Sequence, residues 1–233
     1  MNILVTGATR GIGKAITDSL VSVGTVYATG RNEEILRTLP AKDYCVCDLS
    51  CNPDKLCEFI REKQIDVLIN NAGAYEYGNT EDMNTEKVSK IYSTNLISPT
   101  ELIISAIPNM KKNRWGRIIN IGSISGVMGE GKASLYSASK AGLLGLTKAL
   151  ALELAEFNIT VNTINPGWVD TDLGNNSAED SEFTKDEIIE CIPQRRFVKP
   201  QEVASLVKYL ISEDAKGITG QGINLCAGLS VGI

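Results

Sequence analysis

The 233-residue chain contains no histidine, which removes one of the two side chains that usually complete a mixed metal site. Its six cysteines form no C-x-x-C pair, and they carry no metal-ligand spacing. Cys45, Cys47, Cys51 and Cys57 gather loosely, while Cys191 and Cys226 stand apart. Alternation puts Cys45 and Cys47 on one face of a strand. All six read as small buried hydrophobes or incidental thiols, and no metal is expected. No apolar run approaches the ~18–20 residues that span a bilayer, so no membrane partner is expected. There is no Ser/Pro-rich linker, low-complexity tract or internal repeat, and 43% of the residues are hydrophobic. A single domain over 1–233 follows. The net charge of −5, with acidic residues spread along the chain, argues against a nucleic-acid surface. Met1 leads directly into the Ile3/Val5 alternation and a glycine turn. That reads as a first strand rather than a signal peptide, and a cytoplasmic location is expected.

What the chain does contain is Tyr136-Ser137-Ala138-Ser139-Lys140, with Ser123 upstream. A tyrosine and a lysine at i, i+4 share one helical face. Alone they titrate near ~10 and ~10.4, which suits neither to proton transfer at neutrality. Together the ammonium favours the phenolate, and a serine can hydrogen-bond a carbonyl oxygen beside them. This is the composition of a hydride-transfer site.

A second motif opens the chain: Thr6-Gly7-Ala8-Thr9-Arg10-Gly11-Ile12-Gly13 follows the first strand and begins the first helix. Glycines there allow a tight turn and close backbone approach, and the helix N-terminus offers free N–H groups to a pyrophosphate. The spacing is Gly-x-x-x-Gly-x-Gly, not Gly-x-Gly-x-x-Gly. The second strand ends Ala28-Thr29-Gly30-Arg31, without the acidic residue that would repel a 2′-phosphate. Arg31 and Arg10 present two guanidiniums suited to that phosphate. NADP(H) is therefore expected over NAD(H), which stays as the weaker alternative.

Short apolar runs alternate with helical stretches, predicting strands at 2–6, 26–29, 43–47, 67–70, 117–121, 160–164 and 222–225. Helices are predicted at 13–22, 53–63, 85–96, 100–111, 134–157 and 200–212. The pattern is α/β: one Rossmann fold, a doubly wound seven-stranded parallel sheet with helices on both faces. Apolar residues cover most of the circumference of the 134–157 helix. It needs a partner on its second side, either another subunit or a neighbouring helix of the same chain.

In combination and order these motifs resemble the short-chain dehydrogenase/reductase family over nearly the whole chain. The resemblance implies cofactor contacts at Gly7, Thr9, Arg10, Gly11, Ile12 and Gly13, at Arg31, and from Asp48-Leu49 to the adenine. Asn70-Asn71-Ala72-Gly73 matches the family signature after the fourth strand, adding Asn71, Ala72 and Gly73. Pro166, Gly167, Val169 and Thr171 belong to a segment resembling the one that closes over the nicotinamide. Asn95, Ser123, Tyr136 and Lys140 match the catalytic set. By resemblance Tyr136 is the general acid and Ser123 holds the substrate oxygen. Lys140 binds the nicotinamide ribose and lowers the tyrosine pKa, and Asn95 positions a water that resupplies protons. Residues 172–198 correspond to a substrate lid, polar at Gly174-Asn175-Asn176-Ser177 and helical around 187–191.

Three segments, 116–123, 192–197 and 200–204, are similar to bacterial 3-oxoacyl-[acyl-carrier-protein] reductases. The leading expectation is reduction of a 3-oxoacyl thioester, possible carrier docking falling to Lys111, Lys112, Arg114 and Arg117. The lid is acidic, with Glu179, Asp180, Glu182, Asp186, Glu187 and Glu190, and the tail Asn224-Leu225-Cys226-Ala227-Gly228 departs from the subgroup. The rival is a small secondary alcohol, sugar or specialised-metabolite ketone, and the reading of another class is a non-catalytic NADP(H)-binding regulator. A homotetramer is implied by the resemblance.

Overall fold

The computed structural model describes residues 1–180 and 183–231. Seven parallel strands form one sheet in the order β3-β2-β1-β4-β5-β6-β7. They are β1 (Asn2–Thr6), β2 (Thr25–Gly30), β3 (Asp43–Val46), β4 (Val67–Asn70), β5 (Gly116–Ile121), β6 (Ile159–Pro166) and β7 (Gly222–Leu225). Between them run α1 (Gly11–Leu20), α2 (Glu33–Thr38), α3 (Asp54–Glu62), α4 (Thr85–Tyr92) and α5 (Ser98–Asn113). The later helices are α6 (Ser125–Met128), α7 (Ser134–Leu154), α8 (Asp172–Asp180), α9 (Lys185–Cys191) and α10 (Pro200–Leu210).

The strands are near-continuous Val/Ile/Leu because both faces are covered. Ile3 and Val5 enter the core shared with Ile16 and Leu20 of α1 and Val203 and Val207 of α10. Leu4, one residue out of phase, joins Leu56 and Ile60 of α3, Leu102 and Ala106 of α5, and Leu154 of α7. The strand order reverses between β2 and β4, the two neighbours of β1. Carboxyl ends diverge there, opening the crevice in which such folds bind ligands.

The predicted strands and helices are present, and the short helices α2 and α6 add to them. The 85–96 and 100–111 helices are one run, joined by a π-helical turn at Ser93–Ile97. The polar start of the expected lid forms the helix α8, which Thr171 caps by accepting from Gly174 N–H at 3.1 Å through Oγ1. Residues 181 and 182 of the expected lid, Glu182 among them, lie outside the described residues. Arg117 is 0% exposed and leaves the expected basic cluster. Its guanidinium donates to Gly116 and Asn158 carbonyls and to Glu213 at 3.2 Å, and lies over the Trp115 ring.

Behind the crevice the sheet encloses a polar line. Asn70 Nδ2 donates to Asn120 Oδ1 at 2.9 Å, and Asn120 Nδ2 donates to Thr147 Oγ1 at 3.0 Å. Thr147 and Thr163 share a 2.7 Å hydrogen bond, both wholly buried. Removing one member strands the others without water. Thr147→Val is expected to cost about 1–3 kcal/mol, read as a lower urea midpoint with an unchanged m value.

Candidate active site

A cleft of about 560 Å³ runs along the carboxyl ends of the central strands. The glycine turn forms its floor at one end. Gly7 sits at φ +64°, and a Cβ on Gly13 would stand 2.1 Å from the Gly7 carbonyl oxygen. Both positions therefore require glycine. Thr6 and Asn71 lock this turn: Thr6 Oγ1 accepts from Asn71 and Ala72 N–H, at 2.9 and 3.0 Å. Asn71 Nδ2 returns donors to Thr6 and Gly7 carbonyls at 2.8 and 3.2 Å. Asn71 thus shapes the cradle with its side chain. No side chain caps α1, which leaves its N-terminal amides to a ligand.

At the outer rim, Arg10 pairs with Asp172 at 3.8 Å and Arg31 with Asp48 at 3.9 Å, all four side chains solvated. Pairs of this length and exposure contribute little, so both guanidiniums are free to exchange partners. Burial works against the Asp48 carboxylate, but Ser50 N–H, Ser50 Oγ and Arg31 outweigh it and hold its carboxyl below the usual range. Leu49 is buried in the α3/α5 core, and its carbonyl accepts from Ser98.

At the inner end, β5 delivers Ser123 and α7 delivers Tyr136 and Lys140. Ser123 and the Tyr136 hydroxyl line the same end of the cleft, and Lys140 Nζ lies 5.6 Å from the Tyr136 ring centroid. Lys140 donates to the Ile121 carbonyl at 2.8 Å. Burial governs both groups. It pushes the Tyr136 phenol up to about 12, against the lowering influence of Ser123, and pulls the Lys140 ammonium down to about 8. Desolvation is the largest influence on the phenol, which therefore stands above the ordinary tyrosine value and not below it as the neighbouring lysine led us to expect.

The segment 166–171 is fixed from three sides. Gly167 N–H donates to Leu225, Ile124 N–H donates to Pro166, and Val169 pairs with Val198 as an isolated parallel bridge. The Trp168 and Phe197 rings stack at 5.8 Å, joining this segment to the stretch after α9.

All the cofactor residues expected from sequence line the cleft, as do Ser123, Tyr136 and Lys140. Asn95 does not. It is wholly buried in the π-helical turn, where Oδ1 accepts from Ala74 N–H at 2.8 Å. Its Nδ2 donates to the Ala74 carbonyl and to Ser139 Oγ. Both ends of the amide are engaged with protein, so the side chain clamps the loop after β4 to α7. Sequence reading missed Tyr75, Ser125 and Glu130, which also line the cleft. No motif marks them, since they stand in the unpatterned stretches before Asn95 and between Ser123 and Tyr136.

A crevice at the strand-order reversal, a glycine turn under a helix N-terminus and a Ser/Tyr/Lys cluster define a dinucleotide-dependent oxidoreductase site. A family model described as enoyl-(acyl carrier protein) reductase matches residues 7–230. The 3-oxoacyl-[acyl-carrier-protein] reductase of Rickettsia conorii is 38% identical, over 97% of this chain and 95% of its own. An actinorhodin polyketide ketoreductase variant solved with NADPH superimposes with a TM-score of 0.92 at 36% identity, covering 99% and 97% of the two chains. Ligand-free aldohexose dehydrogenase of Thermoplasma acidophilum gives 0.90 at 33% identity, covering 100% and 94%. The chain belongs to the short-chain dehydrogenase/reductase family, and it is an oxidoreductase with ketoreductases among its relatives.

The Lys140 shift sets a sign for stability. Above pH ~8 the folded state releases this proton while the unfolded chain keeps it to ~10.4. The unfolded state then binds more protons, and stability rises with pH through that window. Wild-type protein is expected to gain stability on Lys140→Met as pH climbs from about 8 to about 10. Thermal unfolding of both proteins across this range checks it, and parallel curves would refute it.

Proposed function

We propose that the protein is an NADP(H)-dependent ketoreductase, forming a secondary alcohol from a ketone. One observation carries this reading: Tyr136, with Ser123 beside it and Lys140 one helical turn on, stands in the same cleft as the glycine turn. The turn and the open end of α1 suit a pyrophosphate, with Gly7, Thr9, Gly11, Ile12 and Gly13 beneath it. Arg10 and Arg31 would hold the 2′-phosphate, and Asp48 and Leu49 would flank the adenine. Asn71, Ala72 and Gly73, with Pro166, Gly167, Val169 and Thr171, would enclose the nicotinamide half. When bound, the reduced cofactor supplies hydride to the carbonyl carbon.

The residues of the chain manage the oxygen. Ser123 holds it by a hydrogen bond, and Tyr136 delivers a proton to it. A phenol pushed up to about 12 is protonated at neutral pH, the form an acid requires. Lys140, anchored on Ile121 O, would bind the nicotinamide ribose. Asn95 holds Ala74 and Ser139 and so keeps α7 in register with the cleft. Two oxygen-directed hydroxyls favour carbonyl reduction over reduction of a carbon–carbon double bond.

A 3-oxoacyl thioester is the leading substrate class, supported by the names of the reductases at 36–38% identity. Carrier-protein docking is the weaker part, because Arg117 is buried and Lys111 lies over the Phe157 ring. A small polar alcohol or sugar is the rival, supported by the likeness to the aldohexose dehydrogenase. The intact Ser/Tyr/Lys cluster speaks against a purely regulatory binder. Self-association, as a tetramer by family likeness, is supported by exposed Ile97, Ile104 and Leu152 around α5 and α7. Part of the α7 surface is covered within the chain, where Gly142 meets Leu96. Six free cysteines suit a reducing, cytoplasmic setting; no helix of the described residues is long and apolar enough to cross a membrane.

NADPH oxidation should be followed with an acetoacetyl thioester, a cyclic diketone and a sugar ketone. The thioester is expected to be fastest, and inertness towards all three would sink the proposal. Tyr136→Phe is expected to lower kcat by ~10²–10⁴ with NADPH binding retained. Arg31→Ala should reduce the preference for NADPH over NADH about tenfold, the worth of one charge-assisted hydrogen bond. A wild-type enzyme that uses NADH equally well would remove the 2′-phosphate assignment.

A further inference from the structure

Beside the Ser/Tyr/Lys cluster stands one carboxylate that neither cofactor binding nor proton delivery uses. Glu130 is half-buried in the cleft wall between α6 and α7. Three hydrogen bonds fix it there. Oε1 accepts from the Tyr75 hydroxyl at 2.7 Å and Oε2 from the Ser125 hydroxyl at 2.6 Å, while the Glu130 N–H donates to Ser137 Oγ at 3.1 Å. Tyr75 is held in turn, its ring meeting that of Tyr136 edge-on with centroids 5.0 Å apart.

Position gives this charge its meaning. Ser125 Oγ lies 3.1 Å from Ser123 Oγ, so the carboxylate stands two hydrogen-bond lengths from the hydroxyl assigned to the substrate oxygen. A substituent one or two carbons from the reacting ketone comes within its reach. The cations that line the cleft are engaged elsewhere: Arg10 with Asp172, Arg31 with Asp48, Lys90 with Glu76 at 2.9 Å and Lys140 with the Ile121 carbonyl. None of them pairs with Glu130. Met128, Trp168, Leu173 and Leu229 add apolar wall to the same cleft. Half-burial weakens the screening of the carboxylate by water, so an anion brought beside it is repelled. Each of its oxygens keeps a second lone pair beyond the one its hydroxyl partner occupies, so a donor brought beside it is bound.

We infer that Glu130, clamped by Tyr75 and Ser125, is a specificity-determining residue that accepts a hydrogen bond from a neutral donor group of the substrate and turns away ketones with an anion near the carbonyl, an inference that rests on the ketoreductase reading. A free 3-oxo acid sets its own carboxylate against Glu130 and is a poor substrate. Esterification or thioesterification removes that charge. The donor is then an amide N–H on the arm of a thioester or a hydroxyl of a sugar ketone, and the carboxylate accepts from either in the same way. A carboxylate that merely fastened the α6–α7 loop would alter the turnover of every substrate alike, whereas one that faces the substrate alters their ratio.

The test compares acetoacetate with its ethyl ester as substrates of the full-length protein and NADPH. Wild type is expected to favour the ester in kcat/KM, and Glu130→Gln to cut that preference about tenfold or more. The amide keeps the shape of the clamp, since both hydroxyl partners can donate or accept, and a loss common to both substrates drops out of the ratio. Binding of 3-hydroxybutyrate and of its ethyl ester to the NADP⁺-loaded protein, by calorimetry, gives the same comparison without turnover. Two further pairs find the donor. Acetoacetyl thioesters of N-acetylcysteamine and of 2-mercaptoethyl acetate differ in an amide for an ester, and hydroxyacetone and methoxyacetone differ in a hydroxyl for an ether. The donor-bearing member of one pair should be favoured by wild type, and that advantage should vanish in Glu130→Gln. An acid-to-ester ratio that Glu130→Gln leaves unchanged, or no donor advantage in either pair, overturns the inference while the ketoreductase reading stands. A wild-type protein that reduces no ketone removes both.

Discussion

One hydrogen-bonded connection holds the two halves of the cleft together. It begins at Thr6, whose hydroxyl receives the Asn71 and Ala72 amides at the end of β4. It continues through Ala74, gripped at both backbone atoms by Asn95, and then to Ser139, which donates to the Tyr136 carbonyl at 2.7 Å. The end of β1 is thereby tied to the helix that carries the phenol and the ammonium. Distances between a cofactor cradle and a proton donor must hold to a fraction of an ångström for hydride transfer to compete. Here short polar side chains within the fold set them, and no loop has to find them.

Burial and exposure divide the charged residues by task. At the rim, Arg10 and Arg31 keep long, solvated pairings worth about 0–1 kcal/mol each, which a phosphate can displace. At the inner end, Lys140 is 4% exposed and has a backbone carbonyl in place of a carboxylate partner. That arrangement lowers its ability to hold a proton. Enclosure likewise keeps Tyr136 neutral. The site is built to resist charge until a ligand brings its own, and in that respect it differs from a surface ion pair, which exists to satisfy charge already there.

Legibility of the fold followed from where water is excluded. Strands buried on both faces must be runs of Val, Ile and Leu, so β1, β4 and β5 stand out within the chain. Glycines forced by close approach and a Tyr/Lys pair at helical spacing are equally visible, because each answers a local geometric demand. Other features depend on contacts distant in sequence. Nothing around Asn95 announces that the helix widens there, and a polar residue in a helical stretch looks solvated although it is enclosed. Arg117, at the start of β5, reads as a surface cation until Glu213 and Trp115 arrive from elsewhere in the chain. Glu130 carries no periodicity at all. The environment of the phenol is hidden for the same reason: a neighbour at i+4 is visible in a sequence, whereas the burial around it is not.

The wide turn at Ser93–Ile97 amounts to one residue inserted into an otherwise continuous rod. Since each residue advances an α-helix by about 100°, this insertion sets the angular phase between the half that docks on α7 and the half that docks on the sheet. Excising a single position there would straighten the rod and swing Leu102, Ile103 and Ala106 out of the core they now fill. Length variation in descendants of this gene should therefore be tolerated in the connecting loops and excluded from this stretch, where one codon separates a folded chain from a mis-phased one.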